Sequence, residues 1–128
     1  MQKNYFINVT DYKVLLTVSY LNSLDYLPSS QGILKILNGV NDEETEMFSL
    51  CPTFQVLVSY NPKKLTRDIN RLVTHGYIKK FKDINNNDYY FEVTEKGNNT
   101  LKYYKSVHKV NLKKHEINKT KSFIKRRD

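Results

Sequence analysis

The chain has 128 residues, 39% of them apolar, which suffices for one packed core and leaves no comfortable room for a second domain. With 21 Lys and Arg against 13 Asp and Glu the formal charge is +8, which favours a polyanionic partner, either nucleic acid or an acidic membrane surface. No run approaches the roughly 18 apolar residues of a membrane span, and the opening MQKNYFINVTDY lacks an apolar secretory core, so a soluble, cytoplasmic protein with no membrane contact is expected.

In chain order, DYKVLLTVSYLNSLDYL sets Val14, Leu15, Val18, Leu21 and Leu24 at helical spacing, which predicts a first amphipathic helix with Asp11 as its N-cap. Leu27-Pro28-Ser29-Ser30 marks a stop and a restart. From Ser29, SQGILKILNG places Ile33, Leu34 and Leu37 on one face and closes at Asn38-Gly39, a short second helix. Asp42, Glu43, Glu44 and Glu46 then crowd four negative charges into an expected loop, and the apolar run from Met47 to Val58 reads as a third helix interrupted near Pro52. The one cysteine, Cys51, falls in that run with no intrachain partner and is expected to act as a small buried hydrophobe rather than a redox sensor.

The next segment specifies both of its own ends. In SYNPKKLTRDINRLVTHGYI, Asn61 suits an N-cap, Pro62 the first helical position and Gly76 the left-handed residue beyond the C-terminus. Between them Leu65, Ile69, Leu72 and Val73 form an apolar stripe, while Lys63, Lys64, Thr66, Arg67, Asn70, Arg71 and Thr74 fall on the remaining surface. One face packs; the other is basic and hydrogen-bonding.

After Gly76 the period changes. YIKKFKD and YYFEVT are rich in aromatic and β-branched residues and flank a polar INNN, which predicts a β-hairpin with Ile78, Phe81, Phe91 and Val93 inward and Lys79, Lys80 and Lys82 outward. Consecutive strand residues face opposite sides, so only one of Tyr89 and Tyr90 can line a given face. Thr94 suits the N-cap of a last helix through EKGNNTLKYYKSV, with Leu101 and Tyr104 on its apolar side and Gly97 weakening its start. The stretch from Val107 onward carries eight Lys or Arg against Glu116 and Asp128, and its Val110, Leu112, Ile117, Phe123 and Ile124 sustain no clean stripe, so its distal part is expected to be mobile.

Helices, a helix with a basic face, a two-stranded hairpin and a further helix make a mainly α (α+β) fold, a winged helix-turn-helix with flanking helices. The expected organisation is a domain over residues 1–106 and a basic extension over 107–128. A helix of this kind fits the major groove and presents Arg, Lys, Asn and Thr to base edges and phosphates, with the hairpin beside it on a neighbouring groove or the backbone. The plain alternative is a small α+β domain whose charged helix is merely solvated.

LTRDINRLVTHGYIKK followed by a polar hairpin and FEVTEKGNNTL resembles the MarR type of winged-helix regulators, through Leu72, Gly76, Tyr77, Ile78, Val93, Thr94, Glu95, Lys96 and Gly97. LPSSQGILKILNG resembles the helix that precedes the helix-turn-helix in such proteins, and the resemblance spans residues 27–104. It implies a transcriptional regulator of double-stranded DNA that works as a homodimer. Two departures stand out: the wing NNNDYYFEV has no Asp-x-Arg pattern, and the acidic insertion lengthens the link before the basic helix. They leave the family's wing contact and effector response without support here. A weaker resemblance, through ILKILNG and INRLVTHGYI, is to the RQC winged-helix domain of RecQ helicases, which implies binding to DNA structure. Asn85, Asn86 and Asn87 stand where that domain's aromatic wedge would be needed.

No phosphate loop, dinucleotide fingerprint, HExxH pair or zinc spacing occurs, and His75, His108 and His115 are scattered, so neither an enzyme nor a cofactor or metal is expected. The candidate DNA-binding set is Lys63, Lys64, Thr66, Arg67, Asn70, Arg71, Thr74, Lys79, Lys80, Lys82 and Asn86, with Arg67 and Asn70 as base readers and Lys63, Lys64 and Arg71 mainly on phosphate. The rival from another class is a protein-interaction module, docking a partner through the acidic loop or the tyrosines. Salt separates the two, because only phosphate neutralisation weakens steeply with added salt.

Overall fold

The computed structural model describes residues 7–40, 42–43, 45–57, 60–84, 88–108 and 123–125, without the side chains of 47, 104–108 and 123–125. Helix α1 (Val9–Ser23) starts three residues earlier than expected: Asn8, not Asp11, is the N-cap, its side chain accepting from the Asp11 N–H at 2.7 Å. Ten of its residues, from Asp11 to Asn22, are buried, so α1 is a central rod covered on every side and not an amphipathic surface helix. It packs on the elements β1 (Tyr26–Pro28), α2 (Ser30–Asn38), α3 (Pro62–Thr74), β3 (Tyr89–Val93) and α4 (Glu95–His108) of its own chain. The apolar residues of α1 are therefore already used within the fold.

Helix α2 is bounded as its sequence demands. Ser29 caps it by accepting from the Gly32 N–H at 3.1 Å, and Gly39 ends it in the left-handed conformation at φ 74°. Between α2 and α3 the expected third helix is replaced by one 3-10 turn, Glu46–Phe48, followed by non-helical turns. The reason lies in α2. Its last carbonyls capture the insertion's backbone, Ile36 accepting from Gln55 N–H at 2.8 Å and Leu57 N–H donating to Leu37 at 2.9 Å. Those donors are then spent outside any helical ladder. Asn38 closes the insertion by accepting from the Tyr60 N–H at 2.7 Å. Phe48 and Cys51 of the insertion pack with Tyr20, Leu21, Tyr26 and Ile36 in a second cluster beside the main core. A link too long for a tight helix-turn-helix corner thus still delivers α3 to its place.

Strands β2 (Ile78–Lys82) and β3 pair antiparallel, with Ile78 opposite Val93 and Lys82 opposite Tyr89. Ile78 and Phe91 are buried, Phe81 and Val93 half-buried, and of the tyrosine pair Tyr90 is buried while Tyr89 is exposed. A further strand, β4 (Phe123–Lys125), pairs antiparallel with β1, Leu27 opposite Ile124. Phe123 and Ile124, expected in a mobile tail, are thus held in a strand. The main core gathers Val14, Leu15 and Val18 of α1, Ile33 and Leu37 of α2, Leu65, Ile69 and Leu72 of α3, and Ile78, Phe91 and Leu101. Helix, strand, two further helices and a hairpin around one core form a winged helix-turn-helix.

Candidate nucleic-acid interface

Helix α3 is locally determined at both ends. Asn61 accepts from the Lys63 and Lys64 N–H groups at 2.7 and 3.4 Å, Pro62 opens the helix, and Gly76 turns out of it at φ 83°. Leu65, Ile69 and Leu72 are buried and Val73 half-buried, as the stripe predicts. Lys63, Lys64, Thr66, Arg67, Asn70 and Thr74 are exposed and Arg71 is half-buried. Thr66 turns its hydroxyl back to donate to the Pro62 carbonyl at 3.0 Å. Lys63, Arg67, Asn70 and Thr74 recur at helical spacing and so share one outward stripe.

The other flank of α3 is an internal ion-pair network. The Arg71 guanidinium donates from Nη2 to Asp11 Oδ1 at 2.7 Å and to Asp68 Oδ1 at 2.6 Å, and from Nε to Asp11 Oδ2 at 3.2 Å. Lys64 Nζ lies 3.6 Å from Asp68 Oδ2, the oxygen that also accepts from the Tyr60 hydroxyl. Burial, followed by the Asp68 carboxylate, pushes the Tyr60 phenol well above its usual range, so it stays a donor. Asp68 was legible as a partner, since it stands four residues after Lys64 and three before Arg71. Asp11, sixty residues from Arg71, carried no such signal.

The wing is fixed to the exit of α3 through Thr94. Its hydroxyl accepts from the Gly97 N–H at 3.0 Å and donates toward the Gly76 and Tyr77 carbonyls at 2.6 and 3.1 Å. Gly97 is needed for close approach: a Cβ there would overlap the Tyr77 carbonyl oxygen and lie 2.6 Å from Val93 Cγ2. Lys96 donates to the His75 carbonyl at 2.7 Å, at the negative end of α3, and covers the Tyr77 ring. Lys79, Lys80 and Lys82 are exposed, with Lys80 Nζ 4.5 Å above the Tyr89 ring. Asp83, Asp88 and Glu92 balance the three lysines within the same hairpin, a cancellation the lysine count alone concealed. Ile84, near the tip, is 91% exposed. Asn85, Asn86 and Asn87 lie outside the described residues.

Among the described residues no group of three His, Cys, Asp or Glu is placed to hold a metal ion, and no helix is long and apolar enough to cross a membrane. Cys51 is buried and free, its thiol 3.3 Å from the Thr53 hydroxyl, and burial pushes its pKa up to about 11.

No family model matches the sequence, and no curated protein matches it. Solved structures do match. The reduced form of MarR from E. coli is 16% identical, with a TM-score of 0.52 over 83% of this chain and 60% of that one. FabT of Streptococcus pneumoniae, in complex with DNA, is 14% identical, with a TM-score of 0.51 over 80% of this chain and 55% of that one. A variant of ZitR from Lactococcus lactis is 14% identical, with a TM-score of 0.51 over 85% and 57%. The chain thus spans about 60% of the length of the first of these structures and somewhat less of the others. Its fold is the winged helix-turn-helix seen in MarR, FabT and ZitR.

Proposed function

We propose that the chain binds duplex DNA as a transcriptional regulator, with α3 in the major groove and the wing beside it. The observation that carries this reading is the outward stripe of Lys63, Arg67, Asn70 and Thr74 on a helix whose opposite face is anchored in the core. Arg and Asn are the side chains that read guanine and adenine edges through paired hydrogen bonds, so Arg67 and Asn70 are the base readers. Lys63 and Thr66 sit beside them for phosphate or base contact. Lys79, Lys80 and Lys82 contact the backbone from the wing, whose balanced charge makes that contact modest. Lys64 and Arg71 have carboxylate partners and contribute less than their charge suggests. Two of the fold neighbours, FabT and a MarR mutant, were solved with DNA, the latter with operator DNA. A homodimer of this chain would use α4, where Tyr103 is 66% exposed, since α1 is enclosed.

Selection from a random duplex library, followed by titration of the enriched site, tests the reading. Arg67→Ala should cost about 1 to 3 kcal/mol on that site and relax its base preference. Equal binding of Arg67→Ala and wild type to both the enriched site and mixed-sequence DNA would overturn it. A second reading, protein docking through the insertion, is favoured by Leu50, 58% exposed beside the acidic stretch. It predicts no enriched sequence and no steep salt dependence.

A further inference from the structure

Helix geometry divides the polar surface of α3 into two unlike flanks. At about 100° per residue, Lys63, Asn70 and Thr74 lie within about 60° of Arg67 on one side, and Lys64 and Arg71 within about 60° on the other. Among the described residues, Lys63 and Arg67 on the first flank form no ion pair with a carboxylate. The second centres on Asp68, whose side chain is 2% exposed and which stands against both cations, while Asp11 from α1 grips Arg71 from behind. Arg71 and Lys64 are 34% and 48% exposed, near enough to solvent to reach a phosphate were they released.

We infer that Asp11 and Asp68 are positioning residues that set the specificity of the DNA-binding face by holding Arg71 and Lys64 away from the phosphates. The inference rests on the DNA-binding reading above. Sequence-independent affinity comes from cations that displace counterions, each contact adding about 0.9 to the slope of log affinity against log salt. A guanidinium shared by two carboxylates, and an ammonium paired with one of them, contribute little of that. What remains outward is the stripe that reads bases, so the chain gives up general affinity and keeps discrimination. The arrangement also explains why two carboxylates are tolerated on and under a helix that faces a polyanion. Each is buried and matched by Arg71, and Asp68 is matched also by Lys64 and the Tyr60 hydroxyl.

The test compares Lys63→Gln, Lys64→Gln, Asp68→Asn and the double variant Asp68→Asn/Lys64→Gln with wild type. Binding is titrated over a salt series on a short mixed-sequence duplex and on the library-selected duplex. Lys63→Gln should flatten the slope by about 0.9. Lys64→Gln, although it removes the neighbouring charge, should leave it nearly unchanged. Asp68→Asn should steepen the slope by about one to two units and tighten mixed-sequence binding on the order of tenfold or more at 0.1 M salt. It should narrow the ratio between the two duplexes, and part of the gain should vanish when Lys64→Gln is added. Should Asp68→Asn fail to fold, the two lysine variants, at exposed positions, still decide the matter. Equal flattening by Lys63→Gln and Lys64→Gln overturns the inference, as does a folded Asp68→Asn that binds mixed duplex no better than wild type. Wild type with no salt-sensitive affinity for either duplex overturns the DNA-binding reading itself, and this inference with it.

Discussion

The side chain of Asn22 accepts a hydrogen bond from the backbone N–H of Val93 at 2.8 Å, joining the end of α1 to a strand seventy-one residues further along the chain. Its Nδ2 donates to the Tyr26 carbonyl at 3.0 Å and, at 3.4 Å, to that of Phe91. One buried amide therefore bridges β1 and β3, which share no ladder of their own. Asn22→Ala should leave the Val93 N–H and the Tyr26 carbonyl without this partner, at about 1 to 3 kcal/mol for each group left unsatisfied. A urea melt checks this. A midpoint unchanged from wild type would mean that water replaces the amide at no cost.

Gly76 and Gly97 are expected to respond differently to alanine, although they flank the same strand pair. At Gly76 the nearest atom to an added Cβ is Lys96 Cδ at 3.8 Å, so the cost is only the left-handed backbone, about 1 to 2 kcal/mol. At Gly97 the added Cβ meets the Tyr77 backbone and Val93, neither able to yield without moving the α3 exit or the wing. Gly97→Ala should therefore cost as much or more, about 1 to 3 kcal/mol of overpacking, and also weaken DNA binding. Gly76→Ala should leave the folded protein's affinity intact. Thermal melts paired with duplex titrations distinguish them, and identical affinities would show that α4 does not set the position of α3.

How much of this was legible in the sequence follows from how local each determinant is. Asn61, Pro62 and Gly76 act on their own helix, and the limits of α3 could be read from them. The aromatic and β-branched residues either side of the polar INNN likewise announced the hairpin, although Phe81, opposite Tyr90, lies on the other face from Ile78 and Phe91. The insertion was misread because its apolar residues are compatible with a helix, while their backbone donors are taken by Ile36 and Leu37 at the end of α2. Strand β1 is three residues ending in Pro28, too short for a pattern, and exists because Asn22 and β4 meet it. The outward residues of α3 were readable from periodicity. The commitment of Arg71 to Asp11 was not, since nothing local links positions 11 and 71.

Alkaline pH should loosen the fold. The Cys51 thiol, at 9.0 when unperturbed, is pushed up to about 11 by burial, and the Tyr20 phenol from 10.0 to about 12 by burial and then the Cys51 charge. The unfolded chain releases these protons first. Stability is therefore fully present below pH 9 and lost as pH rises toward 11 and then 12. Urea melts across that window should show a falling midpoint. Cys51→Ala should fall less steeply between pH 9 and 10, where the thiol contributes before the buried phenols, and a slope equal to wild type would rule out the buried thiol as a cause.

Truncation after Lys114 should now do two things, because the segment removed contains both basic charge and the strand β4. Losing the charge should weaken binding to all duplexes and flatten the salt slope while keeping the preferred sequence. Losing β4 uncovers an edge of β1, at about 0.5 to 1.5 kcal/mol for each backbone hydrogen bond given up. A second variant separates these effects: Lys119, Lys121, Arg126 and Arg127, four of the five cations the truncation removes, changed to Gln in the full chain, with Phe123–Lys125 kept. It should reproduce the flatter slope with wild-type stability, whereas the truncated chain should show the flatter slope and a lower melting temperature together. A truncated chain as stable as wild type would mean that β4 adds nothing to β1. Wild-type affinity in the glutamine variant would mean that these four cations only solvate the protein, and that any general attraction for DNA resides elsewhere, in α3 and the wing.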